Sequence, residues 1–143
     1  MRGNRGEWSE VYVLFKLLSD QQLFLGNENI EKLENVVYPI LKVLRAESQG
    51  TVEYSVQDEI VVVSENQEVL RIPIITFQEK ALLLLNAIKS SKERTFAIPE
   101  VEAFMQLINC FSLKASSSVK TDITIVVHDQ RTNQQPTLGF SIK

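Results

Sequence analysis

Cysteine and histidine are nearly missing from this sequence. The single cysteine, Cys110, in 143 residues leaves no disulfide within the chain and no multi-cysteine zinc site. His128 is the one histidine, so metal chemistry built on His and Cys ligands is excluded as well. No apolar run approaches the ~18 residues that cross a bilayer. The opening MRGNRGEWSE also lacks the apolar core of a secretion signal. These absences predict a cytoplasmic location and no membrane partner. Positive charge is scarce too: 15 Lys and Arg stand against 18 Asp and Glu, for a formal net charge of −3. That balance argues against a protein that coats nucleic acid, because such binding runs on clustered Lys and Arg. It leaves room for an enzyme whose acidic metal ligands offset a local basic rim. Internal repeats, linkers and low-complexity segments are absent.

What is present is enough apolar residue, 44% of the chain, to bury one core. Asn4 followed by Glu7 is an N-cap with a capping box, opening a largely buried helix over Glu7 to Ser19. A second helical stripe, Ile30, Leu33, Val37, Ile40, Leu41 and Leu44, predicts a helix from about Ile30 to Arg45 with a kink or break at Pro39. Three short β-type runs follow, Thr51 to Val56, Glu59 to Ser64 and Val69 to Ile75. Thr76-Phe-Gln-Glu79 reads as a capping box for a helix over Phe77 to Ser90, whose Leu82 to Leu85 are expected in the core. Arg94 to Ile98 is strand-like, and Pro99 suits the first position of a helix reaching about Phe111. The polar stretch Lys114 to Lys120 leads to two strand-like runs, Asp122 to Asp129 and Leu138 to Lys143.

Those last two runs carry the chemistry. If they pair as a hairpin through the turn-rich residues Gln130 to Pro136, Asp122 and Lys143 reach the same sheet edge. An acid at the start of one strand and a lysine at the end of the next is the shape of a metal-dependent nuclease half-site. Glu10 adds to it, because at ~100° per residue it falls between Leu14 and Leu17 on the apolar arc of the first helix. A carboxylate there needs a lysine or arginine, a hydrogen-bond donor or a metal ion facing it. Phosphodiester hydrolysis calls for a hard divalent cation held by oxygen ligands, with a base or cation that orients the attacking water. Asp122 and Glu10 suit the cation, and Lys143 suits the water and the charge developing on the phosphate. On pattern alone a sheet-edge ion pair of Asp122 with Lys143, and a Lys or Arg partner for Glu10, remain the plainer readings.

Several separated blocks extend the pattern: Asn4-Arg-Gly-Glu-Trp-Ser-Glu-Val-Tyr12, Tyr38-Pro-Ile-Leu-Lys-Val-Leu-Arg45, Phe96-Ala-Ile-Pro-Glu-Val-Glu102, Lys120-Thr-Asp-Ile123 and Leu138-Gly-Phe-Ser-Ile-Lys143. In these blocks, and in their order, the chain resembles the HpaII-type restriction endonucleases, a branch of the PD-(D/E)xK nucleases. The resemblance implies an α/β fold, a mixed sheet flanked by helices, with a metal bound by Asp122 and by Glu10 of the Gly6-x-x-x-Glu10 motif, and with Lys143 as the motif lysine. Where that motif expects an acid this sequence has Ser141, a poor Mg²⁺ ligand, and Glu10 is the candidate replacement. The resemblance further implies site-specific hydrolysis of double-stranded DNA within a restriction-modification system, Mg²⁺ as cofactor and a cognate DNA methyltransferase as functional partner. Homodimerisation stays open. The alternative is a non-catalytic binding or assembly domain in which Asp122 and Lys143 form a structural ion pair.

The whole chain, 1–143, is expected to be a single domain, the N-terminal part of a nuclease whose fold continues past Lys143. Residues of about 29–109 are expected as a helix-rich insertion between the first core helix and the catalytic hairpin. Lys114, Lys120 and Arg131 are candidate phosphate contacts beside the site, although solvated loops explain them equally well. His128-Asp129 lacks the further histidines of an HD hydrolase site and reads as structural, with Asp129 directed to the other face of its strand. Cys110 reads as buried filler, and Trp8 as core.

Overall fold

A computed structural model of the chain describes residues 1–26, 32–47, 50–113, 123–128 and 132–140, with the backbone alone at 23–26, 32–38 and 140. Helix α1, Arg5–Asp20, starts as its sequence predicts. The Asn4 side chain accepts from Glu7 N at 2.9 Å, and Glu7 Oε1 accepts from Asn4 N at 3.2 Å, closing the capping box. Trp8, Val11, Leu14, Phe15 and Leu18 are buried, while Lys16 and Asp20 pair at 3.1 Å on the solvent side.

Seven strands are described: β1 (Gln22–Gly26), β2 (Lys32–Glu47), β3 (Gly50–Gln57), β4 (Ile60–Glu65), β5 (Gln67–Pro73), β6 (Ile123–Val127) and β7 (Thr137–Phe140). Six of them lie in the order β5-β4-β3-β2-β6-β7, and β1 pairs with the first part of β2. Every described pairing is antiparallel. Val43, Tyr54, Val61, Val63, Ile72, Ile123, Ile125 and Val127 are buried. Register places Val43 opposite Tyr54 and Ile125, and Tyr54 opposite Val63, so these residues line one face of the sheet.

Strand β2 is the main correction to the sequence reading: where the apolar spacing predicts a helix over Ile30 to Arg45, the chain runs extended. Pro39 favours this outcome. Inside a helix it would remove a hydrogen bond and clash with the preceding turn, at about 3 kcal/mol. In β2 it sits where the strand hands over from β1 to the main sheet, paired with Gln22, and its carbonyl accepts from His128 N at 2.9 Å. A register shift between Ile40 and Lys42 completes the disguise. It turns both Ile40 and Val43 inward, so one strand face acquires the three-residue spacing of a helix. Residues 32–73 thus contribute four strands to the sheet, a stretch richer in strand than the sequence predicts.

Helices α2 (Ile74–Ser90) and α3 (Pro99–Leu107) complete the described elements. The capping box expected at Thr76 does not form: α2 begins three residues earlier, directly from β5, with Pro73 as its N-cap and no side-chain cap bond. The leucine run also departs from expectation, because one helix face cannot take four consecutive residues. Leu84 is fully buried while Leu82 is 61% exposed. Pro99 does occupy the first turn of α3, but the helix ends at Leu107 rather than near Phe111. Arg94 to Ile98 makes a single bridge, Phe96 with Gly3, instead of a strand. Phe15, Phe77 and Phe104 meet edge to face at 5.1–6.1 Å and join the three helices.

Candidate functional site

Glu10 sits on the buried side of α1, 5% exposed, and faces the C-terminal half of β2. There Arg45 and Glu47 share the inward parity of Val43, and Arg45 is fully buried. Arg45 Nη1 donates to Glu47 Oε1 at 2.6 Å, while Nη2 lies 3.4 Å from Glu10 Oε1. Charge-assisted bonds run at about 2.7–2.9 Å, so Glu47 is the tight partner of the guanidinium and Glu10 the looser one. Glu47 does more: its Oε1 accepts from Phe111 N at 3.1 Å and its Oε2 from Ser112 Oγ at 2.8 Å. It therefore fastens the segment that follows α3 to the end of β2. Arg45 Nη1 also lies 3.2 Å from Cys110 Sγ, and Arg45 Nε has no hydrogen-bond partner among the described residues.

Burial works against the charge of Arg45, but the Cys110 sulfur and the carboxylates of Glu47 and Glu10 outweigh it and its pKa is raised. The Cys110 thiol is pushed up to about 12, chiefly by burial. It is neutral at physiological pH, so the lasting countercharge to Arg45 comes from the two carboxylates. Burial likewise raises Tyr54 well above its ordinary value, and its hydroxyl donates to Ile108 O at 3.0 Å. Cys110 is buried as expected, just past the end of α3 and against Arg45. A thiol held this high is unsuited to nucleophilic attack.

Of the candidate catalytic, metal-binding and phosphate-contact residues, Glu10 is the one whose surroundings are described. Asp122, Ser141, Lys143, Lys114, Lys120, Arg131 and Asp129 lie outside the described residues. Their frame is described: β6 and β7 form the expected hairpin, with Ile123 opposite Phe140, and β6 lies beside β2 with Thr124 opposite Leu44. Glu10 has the arginine partner that its place on an apolar arc called for. Among the described residues no group of three His, Cys, Asp or Glu side chains stands ready to hold a metal ion. As a carboxylate, Glu10 offers hard oxygen donors of the kind that Mg²⁺ takes.

A model of the HpaII restriction endonuclease family matches residues 4–143, which is nearly the whole chain. The chain belongs to the HpaII restriction endonuclease family. It is 51% identical over 144 residues to "Type II restriction enzyme HpaII" of Haemophilus parainfluenzae. That alignment takes in 99% of this chain and 40% of the relative, so the chain spans well under half of the relative's length. No solved structure matches it. For a member of the HpaII family, Arg45, Glu47 and Ser112 are the part of the site region that sequence reasoning overlooked. The signal for Arg45 and Glu47 was the spacing of two, Val43, Arg45, Glu47, which is strand parity with charge at two inward positions; Ser112 had no such signal.

Proposed function

We propose that the protein is a type II restriction endonuclease that hydrolyses phosphodiesters of double-stranded DNA, metal-dependent and paired with a cognate DNA methyltransferase. The observation that carries this reading is the family match over residues 4–143, together with 51% identity to an enzyme named for that activity. Asp122 and Glu10 are the residues that would hold Mg²⁺, which supplies Lewis acidity at the scissile phosphate when bound. Lys143 would orient the attacking water and offset charge developing on the phosphate. Arg45 supports the part given to Glu10 by keeping a cation beside a carboxylate that burial would otherwise neutralise. Lys114, Lys120 and Arg131 are proposed to contact phosphates next to the site.

Cleavage of duplex DNA by the complete gene product, with and without Mg²⁺, tests the reading. Asp122→Ala and Lys143→Ala are each expected to lower the rate by a hundredfold or more, and normal cutting by both would make the nuclease assignment wrong. Glu10 carries a second reading favoured by its contact with Arg45, in which it is purely a structural partner. Glu10→Gln separates the two. Loss of cleavage at unchanged thermal stability assigns it to the metal, while full metal-dependent cleavage leaves it structural.

A further inference from the structure

We infer that a basic ridge, formed by the first residues of the chain and the connection from α2 to α3, binds the phosphate backbone of duplex DNA beside the site. The inference rests on the nuclease reading above. Residues 2–5 and 89–94 supply Arg2, Arg5, Lys89, Lys92 and Arg94, five of the chain's 15 Lys and Arg residues, against the single acid Glu93. The fold joins these stretches into one surface. Gly3 exchanges two backbone hydrogen bonds with Phe96, at 3.0 and 2.9 Å. Arg2 Nη2 donates to Thr95 O at 2.7 Å and pairs with Glu93 at 3.1 Å, and Arg5 Nη2 donates to Ser91 O. All five cations are exposed.

What distinguishes the ridge is that four of its five cations have no described carboxylate beside them. Elsewhere the described cationic side chains are engaged: Lys16 with Asp20, Lys42 with Glu53, Arg71 with Glu68, Arg45 with Glu47 and Glu10, and Lys80 6.0 Å over the Phe104 ring. Arg5, Lys89, Lys92 and Arg94 have no carboxylate partner among the described residues. In a chain of net charge −3, unneutralised positive charge gathered on one surface is a phosphate-binding feature. A groove of about 680 Å³ between the end of α2 and the start of α3 adds Ser90 and Ser91 hydroxyls beside Arg2 and Lys92, with Glu93 and Glu100 also on its rim.

The ridge lies near Glu10. Arg5 and Glu10 are five residues apart on α1, a rise of roughly 7.5 Å and a turn of about 140°, so Arg5 lies on the exposed side of the helix end and Glu10 on its buried side. The side chain of Leu113 presses on Gly3, and its neighbour Ser112 is bonded to Glu47 in the Arg45 cluster.

Fluorescence anisotropy of a labelled duplex, titrated across salt concentrations with the complete gene product and no divalent metal, tests the assignment. Lys89→Gln/Lys92→Gln/Arg94→Gln changes three exposed cations outside the proposed metal site. Each phosphate contact contributes a slope of roughly −0.9 in log K against log salt, so the variant is expected to lose roughly 2–3 from the slope. Its low-salt affinity should fall tenfold or more on any duplex sequence, with an unchanged melting temperature. The charge-preserving Lys89→Arg/Lys92→Arg/Arg94→Lys should bind like the parent. Parental slope and affinity in the glutamine variant, in a protein that still cuts DNA, would overturn the ridge alone. A parent that binds no duplex at any salt would overturn the nuclease reading with it.

Discussion

Phe15, Phe77 and Phe104 meet edge to face where the three helices join, whereas Glu10, Arg45 and Glu47 meet between α1 and the C-terminal half of β2. Both groups are almost wholly withdrawn from water, with Phe15, Phe77 and Arg45 at 0% exposure. The aromatic seam is stabilised by the removal of apolar surface, at about 25 cal/mol per Å², and by favourable ring geometry. The charged cluster gains far less, because desolvating three ions consumes much of their mutual attraction. A fold seeking stability alone would place three aliphatic residues there. The cluster ties α1, β2 and the segment after α3 together through directional bonds that apolar side chains would not supply, and Glu10 is the member to which the proposed function gives a part.

The largest expected effect comes from breaking the charged cluster asymmetrically. Arg45→Met leaves two carboxylates buried without their cation, and urea unfolding should show a loss of about 3–5 kcal/mol. Adding Glu10→Gln and Glu47→Gln to that change should recover part of the loss, because no uncompensated charge then remains. If Arg45→Met costs under about 1 kcal/mol, the cluster is not the charge-balanced unit described here. The aromatic seam should respond otherwise: Phe104→Leu gives up two edge-to-face contacts but leaves no buried charge unpaired, and should cost about 1–3 kcal/mol, less than Arg45→Met.

Alkali probes the cluster without mutating its ions. The Cys110 thiol has an ordinary value of 9.0 and is held at about 12 in the fold. The folded state therefore binds the proton more tightly than the unfolded state does. The resulting stability is whole below about pH 9 and drains away as the pH rises towards 12, at up to about 1.4 kcal/mol per pH unit. Tyr54, raised in the same direction by burial, adds to the loss above its own ordinary value of 10.0. Cys110→Ala should flatten the decline between pH 9 and 10, while Phe104→Leu should leave it unchanged. An identical decline in Cys110→Ala and its parent would remove the thiol from the account.

How far the sequence could be read follows the same division. Helix α1, its cap, the buried Glu10, the three short strands from Gly50 to Pro73 and the β6–β7 hairpin were legible, because each obeys a local rule of spacing or capping. Strand β2 was not. Its bulge at Ile40 and Lys42 imitates helical spacing, and its inward Arg45 and Glu47 interrupt the apolar alternation that would have marked a strand. The partner of Glu10 stayed hidden for the same reason: with Arg45 assigned to a helix, strand parity could not place it on the sheet face that meets α1. The beginning of α2 was misplaced because Thr76 and Glu79 imitate a cap, while Pro73 allows a direct passage from β5 into the helix.

The smallest expected effect tests whether the charged cluster depends on the start of α1. Asn4→Ala removes the acceptor of Glu7 N and opens the capping box, which should cost about 1 kcal/mol. Fraying of this kind is confined to the first turn, and Trp8 limits it, since its indole nitrogen donates to Phe96 O at 3.0 Å in the interior. Glu10 lies beyond that anchor, so its contact with Arg45 should survive the loss of the cap. Combining Asn4→Ala with Arg45→Met makes the claim quantitative: independent features add within about 0.5 kcal/mol. A larger coupling would mean that cap and cluster act as one unit, and that Glu10 is positioned by the whole N-terminal end of α1 rather than by Arg45 and the sheet beneath it.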